Sequence, residues 1–132
     1  GKSVTYHDPC NFGRSTGVTE EPRELLNLLV DDFREMTPNR AHNWCCGGGG
    51  GLAVMDGKEG VKAFGDDMTF LDSRMTSAKK KVEQVKETGA EYMAAPCANC
   101  KRHVGQMLEH YETGVESGGV FDILLSAAIP PK

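Results

Sequence analysis

No apolar run in these 132 residues approaches the roughly 18 that a membrane span requires, and no signal peptide opens the chain. A basic excess is missing too. Lys and Arg number 15 against 19 Asp and Glu, a formal net charge of −4, which argues against a nucleic-acid or anionic-membrane binder. The one basic cluster, Lys79 to Lys81, falls in a helical pattern and reads as a solvated face. There is no internal repeat and, beyond a single glycine run, no low-complexity segment. Nor is the cysteine count even. Five thiols fit a secreted disulfide framework poorly and fit reduced, metal-directed sulfur in a cytoplasmic setting better. The length suits one domain, residues 1–132, able to bury a core without disulfide staples. A strand-like pattern starts at Ser3, so the expectation is one domain of a longer protein.

What the chain does contain is a recurrent strand–helix alternation. "SVTYHDP" (Ser3–Pro9) alternates Val4 and Tyr6 with polar residues, a strand stopped by Pro9. Thr19 reads as the N-cap of a helix carrying Leu25, Leu26, Leu28 and Leu29, with Pro22 in its first turn. "FREM" (Phe33–Met36) reads as a short second strand. From Leu52 to about Met68 the pattern gives no assignment. Leu71, Met75, Ala78, Val82 and Val85 then mark one face of a helix ending at Gly89. "AEYMAAP" (Ala90–Pro96) reads as a buried strand, "CANCKRHVGQMLEHYE" as a helix, and "VFDILLSAAI" (Val120–Ile129) as a last helix.

This order predicts an α/β fold: a small parallel, Rossmann-like sheet covered by helices through right-handed crossovers. In such sheets sites form beyond the carboxyl ends of the strands. Cys10 follows the first strand, Cys97 follows "EYMAAP", and Cys45–Cys46 lie beyond "FREM". All five cysteine-bearing positions are therefore expected at one edge.

"NWCCGGGGG" (Asn43–Gly51) places two adjacent thiols before five glycines. Adjacent cysteines rarely bridge each other, because a disulfide wants its Cα atoms roughly 4.4–6.8 Å apart in a particular orientation. Glycine runs are costly in entropy unless backbone must bend unusually or approach something closely. The pattern therefore reads as a bulky group held by sulfur, with main chain wrapped against it. "CANC" puts Cys97 and Cys100 on the first turn of a helix, where free N–H groups and the dipole favour thiolate. Alone, that pair fits a zinc knuckle, an iron–sulfur ligand pair, a thioredoxin-like dithiol or two unrelated buried cysteines. The adjacent pair favours iron–sulfur over zinc, since zinc sites usually use chelating pairs separated by roughly two to four residues. A multi-iron cluster also takes N–H donors near its sulfur atoms, which Gly47, Gly48, Gly49 and Gly50 can bring close. Gly48, Gly50 and Ala53 do satisfy G-x-G-x-x-A, but no strand precedes them, and "GGGGGLAV" lacks the Lys-Ser/Thr of a phosphate loop.

The set "HDPC", "NWCCGGGGG" and "APCANC", within Tyr6 to about Tyr111, resembles the cysteine-rich CCG domain of heterodisulfide reductase catalytic subunits and their relatives. Those relatives include the iron–sulfur subunits of glycolate oxidase and glycerol-3-phosphate dehydrogenase and the lactate-utilisation proteins. The resemblance implies that Cys10, Cys45, Cys46, Cys97 and Cys100 ligate a non-cubane 4Fe–4S cluster at which disulfides are cleaved in two one-electron steps. It implies a ferredoxin-type iron–sulfur domain or subunit as electron donor and a small-molecule or protein disulfide as substrate. Cys45 and Cys46 would then belong to the catalytic part of the cluster. The long spacer between Cys46 and Cys97, around "AVMDGKEGVKAFGDDM", resembles the large iron–sulfur subunits of membrane-bound redox complexes of sulfate-respiring bacteria. That implies a cytoplasmic domain, or one at the cytoplasmic face of a membrane complex without inserting.

Two other functions compete. A zinc-held structural or partner-docking module would have no redox activity, and a simple dithiol oxidoreductase using Cys97 and Cys100 leaves three cysteines unexplained. Among the remaining residues, His7 either donates a proton to a leaving thiolate or orients the Cys10 loop. His42 reads as exposed, His103 and His110 as surface, and Met68 and Met75 as core. Arg14 and Trp44 are candidates to shape a cleft, or Trp44 to cover the centre.

Overall fold

The computed structural model describes residues 1–55 and 69–128. Strand β1 (Val4–Tyr6) is committed on both faces. Val4 and Tyr6 pack into one apolar cluster, while Thr5, also buried, points the other way. It pairs in parallel with β2 (Tyr92–Ala94), which pairs in parallel with β3 (Glu116–Gly118). Helix α1 (Glu21–Leu29) and the C-terminal α5 (Val120–Ala128) cover one face through Leu26 and Val120. Helices α3 (Thr69–Thr88) and α4 (Ala98–His110) cover the other, with Met75, Ala78, Val82, Val85, Val104 and Met107 packed on Met93. A four-residue helix, α2 (Leu52–Met55), follows the glycine run. The α/β expectation with a parallel sheet holds. Among the described residues no helix is long and apolar enough to cross a membrane.

"FREM" is not a strand. Only Phe33 bridges Val4, in parallel, flanked by hydrogen bonds from Val4 N–H to the Asp32 carbonyl and from Arg34 N–H to the Val4 carbonyl, both 2.8 Å. Beyond Phe33 the Glu35 side chain is tied to Arg23 of α1, and no further backbone pairing with β1 follows among the described residues. β3 is a strand that the sequence does not announce, since "ESG" carries no apolar alternation. Its backbone supplies the pairing: Glu116 N–H donates to the Glu91 carbonyl, and the Gly118 carbonyl accepts from Ala95 N–H, both at 2.9 Å.

Counting the Phe33 bridge, the spatial order is Phe33, β1, β2, β3. The chain leaving β1 crosses to the Phe33 side and the chain leaving β2 crosses to the β3 side. The crevice between the carboxyl ends of β1 and β2 is thus a topological switch point, where open α/β sheets place their sites.

Three local expectations are corrected. Thr19 does not cap α1: Glu20 holds the cap position without a side-chain bond, and the Thr19 carbonyl accepts from Arg23 Nη1 at 2.6 Å instead. Lys81 is not on a solvated face but fully buried, because α3 buries a stripe wider than its apolar residues, including Arg74, Lys81 and Gln84. His103 is not on the surface either. It lies with Cys100, Val104 and Met107 on the inward side of α4, where Arg74 Nη1 meets its Nδ1 at 2.7 Å. His42, His110 and Met75 stand as expected, exposed, exposed and buried. Met68 lies outside the described residues, as do most of the spacer "AVMDGKEGVKAFGDDM" and Ile129.

Candidate metal centre

Strand β1 ends in "HDPC". His7 N–H donates to the Ala94 carbonyl at 2.9 Å, extending the ladder one residue, and Pro9 then turns Cys10 outward into a π-helical turn, Asn11–Ser15. Asp8 is the post on which the loops hang. Its oxygens accept from both Arg23 Nη atoms at 2.8 and 2.7 Å and from Arg40 N–H at 2.7 Å. Its carbonyl accepts from Asn43 Nδ2 at 2.5 Å, and Arg14 donates to the Asn43 carbonyl. Burial pushes the Asp8 carboxyl up, but the Arg23 and Arg40 hydrogen bonds more than reverse it, so the group is held below the usual carboxylate range. The same residue thus fixes both the Cys10 loop and the approach to Cys45–Cys46.

After β2, Pro96 leads into α4 with Cys97 at its N-cap in extended conformation and Cys100 in the first turn. Among the described residues no side chain caps this N-terminus, so its N–H groups and positive dipole end stand beside the sulfurs. The three segments close on a cavity of about 140 Å³ lined by all five cysteines together with His7, Asn11, Gly49, Gly50 and Asn99. The expected convergence is present. Within it the donor atoms of His7, Cys46 and Cys100, all buried, lie within 4.8 Å of one another. A larger cavity, about 490 Å³, opens beside Val4, Val30 and Ile123, but its lining contains neither thiol nor imidazole.

The electrostatics follow from crowding. Hydrogen bonding to Cys46 and burial push the Cys45 thiol far up, and contact with Cys100 with burial pushes Cys46 up to about 12. Burial and then the Lys81 charge lower His7 to about 3, so its imidazole is neutral at physiological pH, and its Nδ1 has no hydrogen-bond partner among the described residues. Burial lowers Lys81 to about 8, with the Cys46 sulfur opposing that shift. These thiols do not ionise readily in one another's company. A metal that takes them as thiolates supplies the missing positive charge.

The glycines divide by role. Gly47 has φ +89° and its N–H lies 3.3 Å from Cys45 Sγ. Gly48 N–H serves Cys46. A Cβ on Gly48 would sit 2.5 Å from the His103 Cβ, so the run there is pressed against α4. A Cβ on Gly49, by contrast, would meet nothing within 4 Å among the described residues. Trp44 is 49% exposed and does not seal the centre.

The donor chemistry fits a thiolate-bound metal cluster: five sulfurs, two amide donors to sulfur and one orphaned imidazole nitrogen around one cavity. Sequence reasoning expects the five cysteines at one edge, where the cavity gathers them, but does not name Asp8, Asn43 and Lys81 as residues that hold the surrounding loops. For Lys81 a signal exists, since it lies three residues after Ala78 and one before Val82, at the margin of the apolar stripe.

Similarity to known proteins agrees with this geometry. The family model for the CCG cysteine-rich domain matches residues 4–105. The Hdr-like menaquinol oxidoreductase iron-sulfur subunit 2 of Archaeoglobus fulgidus is 29% identical over 132 residues, covering 96% of this chain and 21% of that protein. A subunit of the dihydromethanophenazine:CoB–CoM heterodisulfide reductase of Methanosarcina acetivorans is 31% identical over 127 residues, covering 96% of this chain and 28% of that one. A probable membrane-anchored ferredoxin of Chromohalobacter salexigens is 37% identical over 99 residues, 74% of this chain and 12% of that protein. The chain thus spans less than a third of the length of these relatives, and no solved structure matches it. With the family match running from the start of β1 into α4, across every cysteine that lines the cavity, the chain belongs to the CCG cysteine-rich domain family.

Proposed function

We propose that this chain is the iron–sulfur domain of a heterodisulfide reductase-like oxidoreductase, one domain over residues 1–132 within a longer protein. Cys10, Cys45, Cys46, Cys97 and Cys100 would hold a non-cubane 4Fe–4S cluster. One observation carries the reading: all five thiols line a single cavity, one more than an ordinary four-thiolate cluster uses, and two of them are adjacent in the chain. The cluster, when bound, supplies one-electron chemistry and an iron that accepts a substrate sulfur. The protein's own residues do the rest. Gly47 and Gly48 donate N–H groups to the Cys45 and Cys46 sulfurs, Gly49 and Gly50 line the cavity, and the open N-terminus of α4 favours developing negative charge there. His7, whose donor atom lies within 4.8 Å of the Cys46 and Cys100 sulfurs, either donates a proton to a leaving thiolate or orients the Cys10 loop. Net reduction of one disulfide breaks its sulfur–sulfur bond, takes two electrons and two protons, and releases two thiols. Electrons come singly from a ferredoxin-type domain or subunit, a partner supported by the names of the heterodisulfide reductase and ferredoxin relatives. The substrate is a small-molecule or protein disulfide, and the setting is cytoplasmic or at the cytoplasmic face of a membrane complex.

Iron, sulfide and zinc analysis of the anaerobically purified full natural chain tests the cluster. The expected result is iron with acid-labile sulfide, lost in the Cys97→Ser variant. Cys46→Ser is expected to abolish disulfide reduction even where iron is retained, because serine is a harder and far less acidic ligand. Unmodified turnover in that variant would sink the mechanism. One observation favours a second reading: the close His7–Cys46–Cys100 donor set also suits a single zinc ion, in a structural or partner-docking module. Zinc in place of iron in the same analysis would establish it.

A further inference from the structure

Lys81 carries a buried ammonium whose one hydrogen-bond partner among the described residues is neutral: Nζ donates to Asn43 Oδ1 at 2.5 Å. The side chain is fully buried. Both Asp8 oxygens are hydrogen-bonded by Arg23 and by the Arg40 backbone N–H, and Glu35 pairs with Arg23, so among the described residues neither carboxylate is in hydrogen-bond contact with the lysine. Arg14, another cation that acts on Lys81, adds positive charge. An ammonium removed from water without an anion is strongly disfavoured, so a fold that keeps one there needs negative charge close by. The negative groups that act on Lys81 are the Cys46 sulfur, then the Asp8 carboxylate already bound by Arg23, then the Cys45 sulfur, with both sulfurs in the loop that Asn43 enters.

We infer that Lys81 is the buried counter-charge of the thiolate centre: its ammonium, aimed by Asn43, offsets the charge of the metal-bound Cys45 and Cys46 sulfurs and thereby sets metal affinity and reduction potential. Lys81 is a positioning residue, not a ligand, and the inference rests on the metal–thiolate reading above. For an iron cluster the consequence has a definite sign. Reduction adds negative charge beside a fixed cation, so Lys81 favours the reduced state.

The test uses the full natural chain, purified anaerobically, as wild type, Lys81→Met and Lys81→Arg. Metal analysis of the wild type comes first and decides between iron and zinc by itself. With iron bound, Lys81→Met is expected to shift the one-electron equilibrium at least tenfold toward the oxidised state, about 59 mV more negative. Lys81→Arg, which keeps the charge, restores most of that shift. With zinc bound, the iron reading falls, and the charge inference is read from chelator competition: at least tenfold weaker zinc binding in Lys81→Met, recovered in Lys81→Arg. Wild-type values in Lys81→Met, or equal impairment in both variants, would overturn the inference. Should Lys81→Met not fold, nitrogen NMR of lysine-labelled wild type is decisive. The Lys81 Nζ signal moves on metal loading while Lys79 and Lys80 do not, and an unmoved Lys81 overturns it. A wild type that takes up neither metal overturns both readings.

Discussion

Gly48 and Gly49 are neighbours with opposite tolerances. A methyl group on Gly48 meets the His103 side chain at 2.5 Å, and His103 is itself held against Arg74, whereas one on Gly49 meets nothing within 4 Å among the described residues. Gly48→Ala is expected to displace the loop from α4, destabilise the protein by about 1–3 kcal/mol and lower metal occupancy. Gly49→Ala should leave the stability of the metal-free protein within error. Thermal melts with metal analysis on the two single variants check this, and equal behaviour would show that the loop is not pressed on α4. Such contrasts are invisible in a string of five glycines. The string says that side chains are absent, and only the packing says which absence is needed. Cysteine positions, by comparison, are legible, because thiol chemistry depends on residue type and on the loop that carries it. The surroundings of His103 and Lys81 are not legible, because their burial is decided by partners that arrive from elements far along the chain.

At the scale of elements, the centre depends on how firmly β1, α1 and the loop after Phe33 are tied. Arg23 does this from α1, paired with Asp8 at the end of β1 and with Glu35 beyond Phe33, with side chains 4% and 2% exposed at the Arg23–Asp8 contact. Its guanidinium also stands 5.3 Å from the Tyr6 ring centroid. Arg23→Met leaves a buried carboxylate without its partner, a class of change that costs about 3–5 kcal/mol. The exposed Arg34–Asp32 pair is screened by water, so Arg34→Met should change the denaturation midpoint little through that ion pair. Urea unfolding of both variants tests the ranking, and comparable midpoints would remove Arg23 from its anchoring role. The long helices α3 and α4 can be read from their apolar spacing. β3 cannot, since three polar or small residues are recruited by backbone pairing alone, and "FREM" misleads because a β-like composition does not guarantee a ladder.

For the whole molecule, the sheet brings distant segments together and a metal would lock them. Binding to the folded state alone stabilises it by mass action, about 2.7 kcal/mol when free ligand stands at a hundredfold its Kd. The metal-loaded protein is therefore expected to melt several degrees above the metal-free form, and a chelator should reverse the gain. Calorimetry of both forms checks this; identical melting temperatures would mean that the thiols do not share one bound group. The alternation of strands and helices foretells the α/β plan and the edge at which the cysteines meet. It does not foretell the switch point, which depends on Phe33 joining one side of β1 while β2 joins the other.

That assembly has a consequence for biogenesis. Cys10 and the Cys45–Cys46 pair leave the ribosome well before Cys97 and Cys100. At about 5–20 residues per second the interval between the two groups is roughly 3–10 s. During it no local hairpin can gather a complete donor set, because β1 has no β2 to lie against. A nascent chain therefore offers loose thiols to oxidants first and a cavity to metal only later. The five-thiol cavity forms only after the second strand docks, so a group that needs all five thiols is taken up by a folded crevice and not by a linear cysteine motif.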